Sequence, residues 1–160
     1  MKILITGTTG YIARRLIPLL SNQGHSLVCC VRDLGRIPEE LINQPLIEFI
    51  EIDFLKPNPN IFPIDIDAAY YLIHSMSSNG GDFEELELQC AQNFKVLTEK
   101  TTCKQVIYLS GIVNNHTLSK HLNSRYQVEK TLSSSKYAVT TLRDGIIVGS
   151  GSASFEIIRD

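Results

Sequence analysis

The chain has 160 residues, 43% of them hydrophobic, with 15 basic against 17 acidic side chains and a formal net charge of −2. That is one domain's length, enough to bury a core, and the charge balance excludes a basic nucleic-acid arm or a cationic membrane-surface patch. The apolar runs are short, and the first is interrupted by Gly7, Gly10, Arg14 and Arg15. A signal peptide or membrane span is therefore not expected, and a cytoplasmic protein is.

Strand and helix signals alternate along the chain with short connections. KILIT reads as the first strand, Tyr11 to Gln23 as the first helix, and Gly24 stands where a left-handed cap ends a helix. SLVCCV, Ser26 to Val31, is a short buried strand. Its adjacent Cys29 and Cys30 point to opposite faces and, with Cys90 and Cys103, show no CxxC spacing. The four read as buried, reduced thiols rather than as metal ligands.

LIEFIEID, ending at Asp53, is the third strand and AAYYLIH, ending at His74, the fourth. A helix over DFEELELQCAQNFKVLTEK follows, with Phe83, Leu86, Cys90, Phe94 and Leu97 at helical spacing as a core stripe. KQVIYLS, ending at Ser110, and YAVTTLR, ending at Arg143, complete the strands. The pattern predicts an α/β, doubly wound Rossmann fold: a sheet of about six mostly parallel strands with helices on both faces. Ser154 to Asp160 reads as the first turns of another helix. The expectation is that residues 1–160 form a dinucleotide-binding domain cut off before a substrate-binding segment.

In KILITGTTGYIARRL, a strand feeds a helix through a glycine-rich turn, which aims free helix N–H groups and the positive dipole end at one spot and suits a pyrophosphate. Gly7 supplies the tight turn, Gly10 the close backbone approach, and Ala13 the small position where helix meets strand. The bland alternative is a turn that merely needs glycine.

TGTTGYIA resembles the TGxxGxxG/A fingerprint of the short-chain dehydrogenase/reductase superfamily, in the spacing of its extended and atypical branches. Asp53-Phe54 is similar to that family's adenine-contacting pair, IYLSG to its IYxSS segment and LRDGIIVGSG to its LRPGxxxGxG. AYYLIHSM is most like the atypical NmrA-like and nucleoside-diphosphate-sugar epimerase-like group. The resemblance implies a bound nicotinamide dinucleotide contacted by Gly7, Thr9, Gly10, Tyr11 and Ile12 in the turn and by Asp53, Phe54 and His74 at later strand ends. It also implies a small-molecule substrate and pairing as a homodimer through the helices after the fourth and fifth strands.

Members using NAD end the second strand in an acidic residue. Here that position is Val31, followed by Arg32, whose guanidinium suits a 2′-phosphate, so NADP is favoured with NAD as the runner-up. Pairing of Arg32 with Asp33 is the competing reading, and Arg14 is either a second cation for the same phosphate or a solvated side chain.

Catalytic relatives use a Tyr-x-x-x-Lys pair with a serine hydroxyl, which here reads as Tyr126, Lys130 and Ser110. Anchoring instead on LRDG places HLNSR over the family's YxxSK, so that His121 falls on the tyrosine, Ser124 on the serine and Arg125 on the lysine. The visible motif then lies five residues late, roughly 140° round the helix. Both registers stay open. Asp144, where the family has proline, bears on nicotinamide placement. Three functions follow: a dinucleotide binder whose catalysis is weak, lost or replaced by sensing; an active oxidoreductase or epimerase using Ser110, Tyr126 and Lys130; and a non-catalytic accessory scaffold.

Overall fold

The structure is a computed structural model that describes residues 1–74, 83–112 and 120–145, with 147 and 149; for 120 and 121 it describes the backbone. The expected helix at 154–160 lies outside these residues. Six strands form one sheet: β1 (Lys2–Ile5), β2 (Ser26–Val31), β3 (Ile47–Glu51), β4 (Ala68–Tyr71), β5 (Gln105–Gly111) and β6 (Ala138–Asp144). Their order is β3-β2-β1-β4-β5-β6 and every pairing is parallel. The chain winds outward from β1 to β3, then returns to the other side of β1 with β4. The doubly wound expectation holds, and the sheet is parallel throughout.

The crossover helices are α1 (Tyr11–Asn22), α2 (Phe83–Thr98) and α3 (Lys120–Leu132). Strand alternation sends Ile3, Ile5, Leu27 and Cys29 to one face, where Ala13, Ile17 and Leu20 of α1 cover them. Leu4, Val28, Cys30, Tyr71, Val106 and Tyr108 go to the other, under Cys90, Phe94 and Leu97 of α2 and Val128 and Leu132 of α3. Phe94 centres that layer, its ring 4.9 Å from Tyr71 and 5.8 Å from Phe54. Cys29 and Cys30 thus face opposite layers, as their adjacency requires, and all four cysteines are buried and free. No helix among the described residues is long and apolar enough to cross a membrane.

Helix α1 ends as its sequence predicts. Gly24 has φ +81°; its N–H donates to Ser21 and that of His25 to Leu20, the double bond of a left-handed glycine cap. Three strands stop earlier than predicted: β1 by one residue, at Ile5, β3 by two and β4 by three. β4 ends at Tyr71 because the Leu72 N–H is taken by Thr6 Oγ1 at 2.9 Å. β3 ends at Glu51 because Asp53 turns the chain, its Oδ1 accepting from the Leu55 N–H at 2.9 Å.

Gly7 also has φ +64°, and a Cβ there would lie 2.5 Å from the Leu72 carbonyl oxygen, whereas a Cβ on Gly24 meets nothing within 4 Å. Gly24→Ala is expected to cost only the left-handed backbone penalty, about 1–2 kcal/mol, and Gly7→Ala that plus overpacking, about 2–5 kcal/mol; chemical denaturation of both variants measures the gap. Burial pushes the Cys29 thiol up to about 12 and Cys90 to about 11, and raises Cys30 and Cys103. Since the thiolate is the nucleophile, iodoacetamide at about pH 8 is expected to label the native chain far more slowly than the unfolded chain.

Candidate functional site

The TGTTG turn is built from the strand outward. Thr6 is fully buried; its N–H and Oγ1 donate to the Tyr70 carbonyl at 3.0 and 3.2 Å while Oγ1 accepts from Leu72. Thr8, also buried, donates to the Ile5 carbonyl at 3.2 Å. Two hydroxyls therefore satisfy the backbone where β1 leaves the sheet, and Gly7 lets the chain after β4 pass directly over the turn. Gly10 precedes α1 in extended conformation, its N–H donating to Gly7, with no side chain among the described residues capping the helix and no acidic residue in its first turn. The first N–H groups of α1 are left as donors for something outside the helix.

They border a cleft of about 590 Å³ at the carboxyl ends of the strands, between β1 and β4 where the winding reverses. Gly7, Gly10, Tyr11, Ile12 and Ala13 form one wall, His74 and the chain after β4 the floor, and Ser110, Gly111, Arg125 and Asp144 the far side. Gly149 closes against Tyr11: a Cβ there would collide with the tyrosine hydroxyl.

The structure divides the sequence-predicted residues. Gly7, Gly10, Tyr11, Ile12, His74, Ser110 and Arg125 line this cleft. Thr9 lines a second, polar depression with Tyr11, Arg14, Arg15 and Glu40. Arg32 is exposed past β2; Asp33, its suspected partner, instead caps the next turn by accepting from the Gly35 N–H at 2.8 Å. Arg14 pairs with Glu40 at 2.7 Å. Asp53 is exposed, and its charge and that of Arg32 bear in opposite directions on the Cys90 thiol. Phe54 is 4% exposed, packed on Phe62 and Phe94, and its carbonyl accepts from Asn93, so its ring belongs to the core.

On α3, Ser124 is buried and Arg125 reaches the cleft, its Nη1 donating to the Leu109 carbonyl at 2.7 Å and its own carbonyl accepting from the Tyr108 hydroxyl at 3.2 Å. Gly111 allows this approach, since a Cβ there would lie 2.7 Å from Leu122 Cδ2. Tyr126 and Lys130 do not line the cleft; Lys130 is exposed and its ammonium sits 4.4 Å from the centre of the Tyr126 ring. The side chain of His121 lies outside the described residues. Ser110 Oγ is buried and makes no hydrogen bond of good geometry among the described residues.

Glu87 was not anticipated. It is 4% exposed, with Oε2 accepting from Ser124 Oγ at 2.5 Å and Oε1 2.8 Å from His74 Nδ1. Its signal was present: position 87 falls one turn before Cys90 and two before Phe94, inside the stripe facing the sheet. Burial pushes the Tyr108 hydroxyl up to about 12, with Arg125 opposing and Glu87 adding to the shift.

Residues 3–111 match the NAD dependent epimerase/dehydratase family. Among solved structures, the chain is similar to a putative NAD-dependent epimerase/dehydratase from Bacillus halodurans (23% identity, TM-score 0.79, 95% of this chain and 73% of that one). It is also similar to UDP-glucuronic acid 4-epimerase from Bacillus cereus in complex with UDP-glucuronic acid and NAD (19%, 0.70, 89% and 56%). A third similar structure is a yeast methylglyoxal/isovaleraldehyde reductase complexed with NADPH (12%, 0.73, 89% and 57%). At these identities the likeness is one of fold, and the chain spans little more than half the length of the last two. No curated protein matches it. The family match, which covers well over half of the chain, places it with the fold and the cleft just described: this protein belongs to the NAD dependent epimerase/dehydratase family.

Proposed function

We propose that the chain binds a nicotinamide dinucleotide across the cleft, NADP(H) in preference to NAD(H), and does not run the family's Tyr-Lys proton transfer. The dinucleotide then serves as a sensed ligand or as the cofactor of a weaker chemistry run by other residues. The observation that carries this reading is the uncapped N-terminus of α1, opening with Gly7 and Gly10 onto a cleft at the switch point of the sheet. Its N–H groups would hold the pyrophosphate, Arg32 the 2′-phosphate and Asp53 the adenine end. Arg125 would take the ribose-holding place that lysine has in catalytic relatives. A bound nicotinamide would supply the capacity to accept or give two electrons beside Ser110.

The dinucleotide is supported by the complexes of fold neighbours, one with NAD and one with NADPH. The choice of NADP rests on Arg32, exposed and in no ion pair among the described residues. Disfavouring the active reading through Tyr126 is the Lys130 ammonium seated over the Tyr126 ring, off the cleft. The same proposal carries a cytoplasmic protein, a homodimer paired through α2 and α3, and a small molecule, such as a sugar nucleotide, as the second ligand.

Titration with NADPH and NADH, followed by reduced-nicotinamide fluorescence, tests the proposal. NADPH is expected to bind more tightly, and Arg32→Ala to weaken it by about 1.5–3 kcal/mol, roughly 10–100-fold, with NADH unchanged. Equal binding of both cofactors would remove the 2′-phosphate role, and binding of neither would remove the dinucleotide. Arg125→Ala is expected to weaken binding of both cofactors, while Tyr126→Phe leaves NADPH affinity and any NADPH turnover as in the native chain. Loss of turnover in Tyr126→Phe would restore the Tyr-Lys reading.

A further inference from the structure

The sheet order gives the cleft two halves. Helix α1 starts from β1; Arg32 and Asp53 follow β2 and β3 on one side, and β4, β5 and β6 run on the other. A dinucleotide with its pyrophosphate at α1 and its adenine half toward Arg32 and Asp53 therefore lays its other half toward β5 and β6, where Ser110, Arg125 and Asp144 line the cleft. Asp144 is the one carboxylate in that lining among the described residues. It ends β6 opposite Gly111 of β5, and its carbonyl accepts from the Ile112 N–H at 3.0 Å, so its backbone is fixed at the rim. Its Oδ1 accepts from the Gly145 N–H at 2.8 Å, which holds the carboxylate itself. No cation pairs with it among the described residues: Arg143, next in sequence, is bonded to Glu129 at 2.7 Å, and Arg125 directs Nη1 to the Leu109 carbonyl at 2.7 Å. The remaining charge near this end is Glu87, behind the cleft floor with Ser124 and His74 as its partners.

We propose that Asp144 makes the reacting end of the cleft prefer the oxidised form of the dinucleotide over the reduced form, a role that rests on the dinucleotide reading above. The oxidised nicotinamide ring carries one positive charge that the reduced ring lacks, while the adenine, the riboses and the phosphates are common to both. Contacts with the turn, with Arg32 and with Asp53 therefore cancel from the ratio of the two affinities, and the potential at the ring remains. Two carboxylates, Asp144 and Glu87, outnumber the single cation Arg125 there, and Asp144 is the one of the two that stands at the rim rather than behind the floor. Asp144 is exposed, so water screens it, and its share of the ratio is about two- to fivefold. Tighter holding of the oxidised form lowers the potential of the bound couple by about 30 mV per tenfold, here about 10–20 mV. The carboxylate thus tilts a two-electron exchange in the cleft toward reduction of the second ligand.

The test is calorimetric titration of the full chain with NADP+, NADPH, NAD+ and NADH at neutral pH, native and as Asp144→Asn and Asp144→Glu. The asparagine keeps an oxygen for the Gly145 N–H and removes the charge; the glutamate keeps the charge. The expected result is that Asp144→Asn lowers the oxidised-over-reduced affinity ratio about two- to fivefold, equally in the phosphorylated and unphosphorylated pairs, and that Asp144→Glu stays near the native ratio. In the native chain the ratio is expected to fall as salt rises from about 50 to about 500 mM, because an exposed charge is screened. Asp144→Asn that weakens both forms equally places Asp144 at the ring's carboxamide, which both forms share, and overturns the charge role. A native ratio that stays flat or rises with salt overturns it as well. If none of the four ligands binds, the dinucleotide reading fails and this role with it. The salt series needs no variant, so it decides the role even where Asp144→Asn does not fold.

Discussion

The contact on which the rest of the molecule turns is between two stretches of backbone. Gly7, in left-handed conformation, lies so close to the Leu72 carbonyl that no side chain fits between them. Thr6 holds the same crossing from the other side, exchanging hydrogen bonds with Tyr70 and Leu72. This crossing joins the exits of β1 and β4, the two strands between which the winding reverses, and so it creates the cleft as well as closing the sheet. It also delivers His74 to the floor of that cleft, two residues beyond Leu72. A substitution at Gly7 would therefore disturb stability and the shape of the cleft through one cause.

The second organising element is electrostatic. A carboxylate in the layer between sheet and helices is unfavourable unless donors are supplied, and Glu87 obtains them from α3 and from the end of β4. The charge ties three elements of the same face at one point, and Ser124 stands beside Arg125, whose guanidinium is bonded to the Leu109 carbonyl. The rotational setting of α3 is thus determined by a buried polar bond and by the close fit over Gly111, in addition to the apolar seam of Val128 and Leu132. Tyr126 is turned out to the flank as a result, where it carries the Lys130 ammonium on its ring.

Most of the architecture was legible in the amino-acid order. Alternation of apolar strands with amphipathic helices is a local signal, and so are the glycines of the first turn and the cap at Gly24. Partnerships between distant segments were not legible. Asp33 reads as a partner for Arg32, but a carboxylate two residues before an open N–H caps its own turn more readily than it reaches a neighbour. Arg14 reads as a phosphate ligand, yet Glu40 lies 26 residues away in sequence and 2.7 Å away in space. Phe54 looks like an adenine contact because it follows an aspartate at a strand end. Its ring instead fills the gap between Phe62 and Phe94 while Asn93 holds its carbonyl. Glu87 reads as one more acid on a charged helix although its spacing from Cys90 and Phe94 sets it on the inner side, and only the tertiary packing reveals the donors it meets there.

The sheet order also bears on how the chain is made. β1 is synthesised before the other five strands of the sheet, and it lies in the interior, flanked by β2 on one side and β4 on the other. Once β2 has emerged, β1 can pair with it and α1 can lie across them, but the opposite edge of β1 stays open until β4 has been synthesised. Throughout that interval the molecule exposes a flat, apolar strand edge of the kind that pairs readily with other chains. Slow synthesis of the segment between β2 and β4 would lengthen that exposure, and a chaperone that shields strand edges would act before the cleft exists.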